Sequence, residues 1–184
     1  MTFLIVVVLI VVVLVLMYNS LIHKKNQVEN IFAGVDAVLK KRYDLIPNLV
    51  ASVSEYMDFE KSVLEKITQL RSEAGKTTLT EGDKIRLDAQ ISSALGSIMV
   101  AVENYPDLKS NSNIMNLQHN LTEIESQISA ARRAYNQAVT DYNNALEMFP
   151  TNFMASLMHL QTKEVFSITK DERENVNVGK LFHP

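Results

Sequence analysis

Apolar residues are unevenly distributed along the chain, and the most apolar block lies near its N-terminal end. Fourteen consecutive residues there are only Phe, Leu, Ile or Val, without a charge, Gly or Pro. On membrane-insertion scales such a block sums to roughly −4 to −8 kcal/mol. A helix from Met1 to Tyr18 rises about 27 Å, at the short end of what spans a hydrocarbon core. The pattern predicts a single transmembrane helix containing Phe3, Leu4, Ile5, Val6, Val7, Val8, Leu9, Ile10, Val11, Val12, Val13, Leu14, Val15 and Leu16.

This block is either a retained anchor or a cleaved secretory signal. It lacks the basic start and small-residue cleavage site of a signal peptide and continues without a break into residues 18–21, so we favour an anchor. Lys24 and Lys25 follow the block closely, whereas no Lys or Arg precedes it. The positive-inside rule then predicts a single-pass protein of the cell (inner) membrane, with its N-terminus outside and the rest of the chain cytoplasmic.

The strongest periodic pattern lies between residues 112 and 149. Apolar residues recur there in strict alternation of three and four steps over five heptads, as in the seam of a coiled coil. Asn111 or Ser112 is suited to cap the start of this helix, and Pro150 marks its end. The pattern predicts a helix over about 112–149 with a seam formed by Ile114, Leu117, Leu121, Ile124, Ile128, Ala131, Tyr135, Ala138, Tyr142, Ala145 and Phe149.

Three further stripes predict helices over about 20–43, 45–74 and 83–104. The join between the first two of these predicted helices, near Pro47, has two interpretations. A break with Asp44 as the N-cap puts Pro47 in a first helical turn, where proline costs almost nothing. A kinked, continuous helix is the alternative, because the apolar stripe keeps its phase across the join. We favour the break.

Four amphipathic helices with short connections predict an all-α fold, in which a single transmembrane helix runs into an antiparallel four-helix bundle. The expected organisation is an anchor over 1–19, a bundle over 20–150, and a short helix with an extended tail over 151–184. Phe153, Met154 and Met158 of the short helix either pack against the end of the bundle, which we favour, or lie on the bilayer. The asparagines of the long helix are expected to be mostly solvated.

Composition narrows the chemistry. The formal net charge is −3 and no long basic block occurs, so nucleic acid is not an expected partner. The absence of cysteine excludes disulfides, thiolate metal sites and cysteine nucleophiles. His119 and Glu123 share a helix face, but we favour an exposed polar pair over a metal site. Because no catalytic fingerprint occurs either, we expect no enzyme activity, no cofactor and no bound metal.

One nine-residue string at the join is specific in its order: Arg42, Tyr43, Asp44, Leu45, Ile46, Pro47, Asn48, Leu49 and Val50. With shorter strings at 18–21, 105–109, 128–133 and 149–152, it resembles the LemA family over almost the whole chain. Ile31-Phe32 departs from the family's usual Ala-Trp, and the C-terminal tail is divergent. The resemblance implies a membrane-anchored helical bundle with its N-terminus outside, linked to membrane organisation or to membrane stress and protease systems. It supplies no catalytic residues.

These observations lead to a functional hypothesis. We expect a non-enzymatic, membrane-anchored scaffold that self-assembles at the membrane surface. Its expected partners are the lipid bilayer, further copies of the same chain in a homo-oligomer, and another membrane protein. The alternative is an adaptor or regulator of a membrane protease or of another membrane-bound partner.

Overall fold

A computed structural model describes residues 1–54 and 61–167, and all regular secondary structure in those residues is helical. The apolar block and the first part of the domain that follows it lie on one helix of 52 residues, which is about 78 Å long. The helices in chain order are α1 Thr2–Val53, α2 Lys61–Ala74, α3 Glu81–Val102, α4 Pro106–Lys109, α5 Ser112–Glu147 and α6 Thr151–Leu157.

Pro47 lies inside α1, so the favoured break at this position is wrong and the continuous helix is correct. A proline inside a helix leaves the carbonyl four residues earlier without its usual N–H donor. Here that carbonyl belongs to Tyr43, and it accepts a hydrogen bond of 3.1 Å from Nε of Arg71 on α2. The Pro47 ring itself is exposed. The helix predicted over 45–74 is therefore divided between α1 and α2, and residues 55–60 lie outside the described residues.

Local signals in the sequence fix the starts of the other long helices. Thr80 and Asp83 form a capping box at the start of α3, in which each side chain accepts a hydrogen bond from the other residue's backbone N–H. The Thr80 hydroxyl also donates a 2.6 Å bond to the Asp83 carboxylate, and this bond, with the one from the Thr80 backbone N–H, lowers the pKa of that carboxyl. Asn111 caps α5 by accepting a 2.9 Å bond from the backbone N–H of Asn113.

The core consists of two apolar clusters that share α1. The first cluster joins the part of α1 from Leu21 to Leu39 with the C-terminal half of α5, α6 and Phe166. The second joins the last turns of α1 with α2, α3, α4 and the start of α5. The clusters succeed each other along the α1 axis, so one end of the domain is built around α1 and α5 and the other around α1, α2 and α3.

Contacts between helices define their relative directions. Phe32 of α1 packs on Tyr135 of α5 with ring centroids 5.3 Å apart, and ten residues further along α1, Arg42 bonds to Glu125, ten residues earlier on α5. Later residues of α1 therefore contact earlier residues of α5. In contrast, later residues of α3 contact later residues of α1. Lys84 bonds to Asp36 at 2.7 Å, and Asp88, one turn later on α3, pairs with Arg42.

After α6 the chain reverses through His159, which has a φ of 52°, and residues 161–167 run back along α5. Two asparagines of α5 hold this segment. The Asn143 amide exchanges bonds of 2.9 and 3.0 Å with the backbone C=O and N–H of Lys163, and Asn136 does the same with Phe166 at 2.8 Å for both bonds. The expectation of mostly solvated asparagines is wrong for these two. The rest of the predicted tail, 168–184, lies outside the described residues.

Candidate functional site

The apolar block of α1 is exposed along its whole length. The side chains from Phe3 to Leu16 have exposed fractions between 38% and 80%, and none belongs to either core cluster. By length and composition, two of the described helices are apolar enough to cross a membrane: α1, and α3 over Glu81–Val102. In α3, however, one face is buried in the second cluster, as expected for a core helix. The N-terminal part of α1 is thus an apolar helix of the kind found in membrane anchors and signal sequences.

The predicted seam of α5 follows the face that meets α1, with a change at its end. Its residues from Ile114 to Ala145 are buried or half-buried. Five of these positions are half-buried, namely Leu117, Leu121, Ile124, Ala131 and Ala145. The first three of them are consecutive seam positions in the first half of the helix, where the packing is looser. Phe149 lies beyond the end of α5 with an exposed fraction of 87%, so it does not continue the buried seam.

The residues of the family string divide between two faces of α1. One face is buried and comprises Arg42, Ile46 and Leu49. The opposite face, with Asp44, Pro47 and Asn48, is exposed, and Tyr43, Leu45 and Val50 lie between the two. The string thus combines a packing face with one buried charge, that of Arg42.

The Arg42 guanidinium lies between three helices. Nη1 donates to Ser92 Oγ on α3 at 2.8 Å and to Glu125 Oε2 on α5 at 3.0 Å. Nη2 donates to the backbone C=O of Asp88 at 3.3 Å and to the Asp88 carboxylate. The side chains of Arg42 and Asp88 are each 1% exposed.

Arg132 of α5 completes the network. Its guanidinium pairs with the second oxygen of Asp88, lies 3.8 Å from Glu125 and faces the Phe166 ring at 5.7 Å. Two arginines therefore meet two carboxylates, and the network is electrically neutral. Unlike Arg42, Arg132 and Glu125 are partly exposed, so one side of the network reaches solvent. We define these four residues as the ion network.

The ion network lies at the boundary between the two core clusters. Leu39, one turn before Arg42 on α1, belongs to the first cluster, and Ile46, one turn after it, belongs to the second. Buried charges cost desolvation energy that pairing offsets only with good geometry, and removal of one partner is strongly destabilising. A network of this kind therefore favours one register of α1, α3 and α5 over shifted ones.

Two tyrosines near the ion network have raised pKa values. Burial, together with the negative charge of Asp88, raises the pKa of Tyr43 to about 12. Burial also raises the pKa of Tyr135, whose hydroxyl lies 3.4 Å from a carboxylate oxygen of Glu81. Both phenols are neutral at physiological pH and are poor proton donors, which is the opposite of what acid–base catalysis needs.

An open groove of about 740 Å³ lies beside the ion network, between α3 and α5. Its wall combines apolar side chains, among them Leu95, Met99 and Leu121, with hydroxyl and amide side chains such as Ser126. Three charged residues also line it: Arg42, Glu103 and Glu125. Each of these charges has a partner, since Arg42 pairs with Glu125 and Glu103 pairs with Lys109. The groove is thus suited to packing a side chain or a segment rather than to binding an ion.

The described residues contain no group of three or more His, Cys, Asp or Glu side chains that could hold a metal ion. His119 and Glu123 are both exposed on α5. The ion network is the cluster of titratable groups next to the groove, and its charges pair with one another. The arrangement fixes helix positions.

Sequence reasoning identified Arg42 as part of a family string but missed its partners Asp88, Glu125 and Arg132. The sequence does contain a pattern that marks Arg42 and Asp88 as core positions. On α1, Arg42 lies in phase with a strict alternation of three and four steps that runs through Val28, Phe32, Val35, Leu39, Arg42, Ile46, Leu49 and Val53. On α3, Asp88 lies three residues before the first core isoleucine of its stripe, Ile91. Opposite charges at core positions of two helices favour a buried pair.

Comparisons with known proteins agree with the resemblance to the LemA family that the sequence strings indicate. A model of the LemA family matches residues 31–179. Protein LemA of Metamycoplasma hominis is 29% identical over 163 residues, which cover 89% of this chain and 74% of that protein.

Magnetosome proteins are more distant relatives. Magnetosome protein MamQ 2 of Paramagnetospirillum magneticum is 25% identical, and Magnetosome protein MamQ of Magnetospirillum gryphiswaldense is 22% identical, each over 174 residues. Both alignments cover 81% of this chain and 64% of the relative. The chain therefore spans less than two thirds of the length of the MamQ proteins.

Proposed function

The chain belongs to the LemA family, and from this premise we propose that it is a non-enzymatic scaffold, anchored in a membrane by the apolar block of α1 and self-associating at the membrane surface. Family membership and the MamQ relatives favour a membrane-associated protein. The block supplies the anchor, because an exposed run of fourteen apolar side chains is stable in lipid and unstable in water.

One observation supports the scaffold proposal most directly: the apolar block and the core of the domain share a single helix. Against the described residues, the apolar block of α1 has no buried side chain, whereas the part from Leu21 to Val53 contributes to both core clusters. A membrane helix that continues into the domain transmits its orientation to the domain. Copies anchored in this way are presented to one another in similar orientations.

The proposed domain is an antiparallel four-helix bundle of α1, α2, α3 and α5. The directions of the contacts along α1, α3 and α5 support this topology, as does the contact of Arg71 near the end of α2 with Tyr43. Confinement to two dimensions raises the effective concentration of such bundles, so weak lateral contacts suffice for assembly. The charged groups of the ion network pair with one another, which supports a structural role over a catalytic one.

Membrane insertion is tested with the full chain expressed in cells. The protein should stay with the membrane after an alkaline carbonate wash. Val8→Arg combined with Val12→Arg should release it, because arginine at mid-bilayer costs about 2.5–3.5 kcal/mol on insertion scales. Asn26→Arg with Asn30→Arg, which has the same spacing on an exposed part of α1, is the matched control and should stay bound. Release of the unmodified chain by the wash would refute anchoring.

Self-association is tested separately, by light scattering of the purified full chain in detergent at tens of micromolar. A concentration-dependent oligomer supports the scaffold, and a clean monomer at every concentration refutes it.

The proposed orientation puts the N-terminus outside and the bundle in the cytoplasm of a cell with an inner membrane. Lys24 and Lys25, directly after the block, support it through the positive-inside rule. Because the chain has no cysteine, single-cysteine variants are clean reporters. In intact cells, a membrane-impermeant maleimide should label Thr2→Cys and spare Asn120→Cys, and the reverse pattern would invert the topology.

An adaptor that binds a membrane protease or another membrane-bound partner is the second candidate, and the groove between α3 and α5 favours it. Its wall of apolar and polar side chains is suited to a segment of a partner protein. Photocrosslinkers at Gly96 and Ser126 in the groove should capture one partner in stoichiometric amount from native membranes. Exclusive capture of other copies of the chain would reject the adaptor and support the scaffold.

A further inference from the structure

The corner between α5 and α6 carries a cluster of large, exposed apolar side chains. Met148, Phe149, Phe153 and Leu157 have exposed fractions of 63%, 87%, 70% and 68%. On α6, Phe153 and Leu157 lie four residues apart on the outer face, whereas Met154 and Ala155 on the inner face are buried in the first core cluster. We call the four exposed residues the apolar corner.

The register of α5 against α1 determines how far the apolar corner lies from the membrane. The pairs Phe32–Tyr135 and Arg42–Glu125 show that one residue gained on α1 matches one residue lost on α5. Continuing this register from Phe32 back to Tyr18 takes fourteen residues, and the same number leads from Tyr135 to Phe149. Because α5 ends at Glu147, the register places that residue level with Ser20. Phe149, two residues further, therefore lies near the level of Tyr18, just past the end of the apolar block.

Two further contacts support this level. Tyr142 and Leu146 in the last turns of α5 are buried in the same core cluster as Leu21 and Val28 of α1, at the start of the domain. Met17, directly after the apolar block, packs against the cluster that contains Leu21, Met154 and Ala155. The inner face of α6 thus shares a core cluster with the part of α1 where the helix would leave the hydrocarbon core.

We propose that the apolar corner is a second membrane contact, which inserts into the boundary between lipid headgroups and acyl chains beside the anchor. The inference rests on the anchoring proposed above and deepens it, because it adds a side-on contact of the domain with lipid. Lipid is the occupant to expect here, since the corner is continuous with the lipid-facing end of α1 and lies level with it. Aromatic side chains such as Phe149 and Phe153 are common where amphipathic segments lie in the interface.

The charged neighbours are consistent with this placement. Lys24 and Lys25 lie one to two turns beyond Tyr18 on α1, at the depth where phosphate groups would meet them. A domain held at two points, through the anchor and the apolar corner, has a fixed rotation about the membrane normal as well as a fixed height.

The chain has no tryptophan, so single-tryptophan variants of the full protein report one position each. Phe149→Trp and Phe153→Trp are placed in vesicles of phosphatidylcholine with a minority of phosphatidylglycerol. Part of the phosphatidylcholine is brominated, either near the top of the acyl chains or near the bilayer centre. Met115→Trp is the matched control, because Met115 is an exposed apolar residue at the opposite end of α5, about 50 Å from the corner.

Phe149→Trp and Phe153→Trp should show blue-shifted emission, loss of quenching by aqueous iodide, and stronger quenching by shallow than by deep bromines. Met115→Trp should be quenched by iodide alone. Iodide quenching of the corner variants equal to that of Met115→Trp would overturn the proposal. A blue shift without bromine quenching would also overturn it, since it would mean that protein, such as a second copy, covers the corner.

A Val8→Trp variant separates this inference from the anchoring itself. Deep bromines should quench it strongly. If they do and the corner variants remain accessible to iodide, the second contact is wrong while the anchor stands. If no brominated lipid quenches Val8→Trp, the anchoring proposal fails and the second contact fails with it.

Discussion

Arg42 is enclosed by an aspartate, a glutamate and a serine from two neighbouring helices, and its loss would leave Asp88 in the core with Arg132 alone. We expect Arg42→Met to lower the free energy of unfolding by about 3 kcal/mol, because an incompletely paired carboxylate stays buried. Urea denaturation measures this change. Arg133→Met, at an exposed neighbour of Arg132, is the matched control and should shift stability by less than about 0.5 kcal/mol.

Combining Arg42→Met with Asp88→Leu should recover part of the lost stability, because the uncompensated charge is removed along with its partner. Additive losses in the double variant would show that the two side chains do not act as a pair. The same outcome would count against the ion network as the device that fixes the register of α1 and α3.

Tyr43 makes the stability sensitive to alkaline pH. Burial raises its pKa from 10.0 to about 12, so between these values the unfolded chain releases the phenol proton while the folded chain retains it. The folded state then binds more protons, and the free energy of unfolding falls as pH rises through this window. Below pH 10 the contribution is fully present.

Tyr43→Phe should therefore lose stability less steeply than the unmodified chain between pH 10 and pH 12, in urea titrations at several pH values. The difference between the two proteins should be constant below pH 10, which serves as the internal control. Parallel curves throughout the alkaline range would show that Tyr43 is not protected from ionisation by the fold.

At the level of single residues, part of the ion network could be predicted from the sequence. The phase of Arg42 with Leu39 and Ile46 marks it as a core position, and a charge at a core position requires a partner. In contrast, Asn136 and Asn143 give no such indication, since their partners are backbone groups of Phe166 and Lys163. Those groups come into reach only after α6 has reversed the chain, and a long-range fold of this kind leaves no local periodicity.

Among the helices, α1 differs from the prediction at Pro47, where the sequence favoured a break and the helix is continuous. Proline inside a helix costs about 3 kcal/mol when its effects are uncompensated, which favoured a break at Pro47. Compensation comes from Arg71 on α2, which donates to the carbonyl that Pro47 leaves without a helical partner. Tertiary structure thus supplies the missing donor, whereas the in-phase stripe across the join was the correct indication of a continuous helix.

This compensation predicts a coupling between two residues on different helices. Arg71→Ala should cost about 0.5–1.5 kcal/mol, because the Tyr43 carbonyl loses its donor. In the Pro47→Ala background the same change should cost measurably less, since the backbone N–H that the proline lacks is then restored. A double-mutant cycle in urea measures the coupling. Equal costs in both backgrounds would mean that Arg71 does not compensate for the proline.

The five-heptad seam of α5 gave a long helix in the right place because its apolar period is long and regular. Its last position, Phe149, belongs instead to the apolar corner. Periodicity alone does not distinguish a residue buried by protein from one exposed next to a membrane, because both are apolar. The distinction requires knowing that α5 ends level with the exit of α1 from the apolar block.

For the whole molecule, the continuity of α1 makes the height of the domain above the membrane a matter of helix length. Seven alanines inserted between Ser20 and Leu21 add about two helical turns, which preserve the phase of the core face and lift the domain by about 10 Å. In a Phe153→Trp background, this insertion should abolish quenching by shallow bromolipids. In a Val8→Trp background, quenching by deep bromolipids should be unchanged.

The same seven alanines inserted between Lys76 and Thr77, in the connection from α2 to α3, control for the added length and should leave both signals unchanged. If Phe153→Trp remains quenched by lipid after the insertion in α1, the helix must bend to let the domain settle on the bilayer. A scaffold that sets a fixed height and rotation for each copy requires a stiff α1, so this result would contradict the proposed transmission of orientation from anchor to domain.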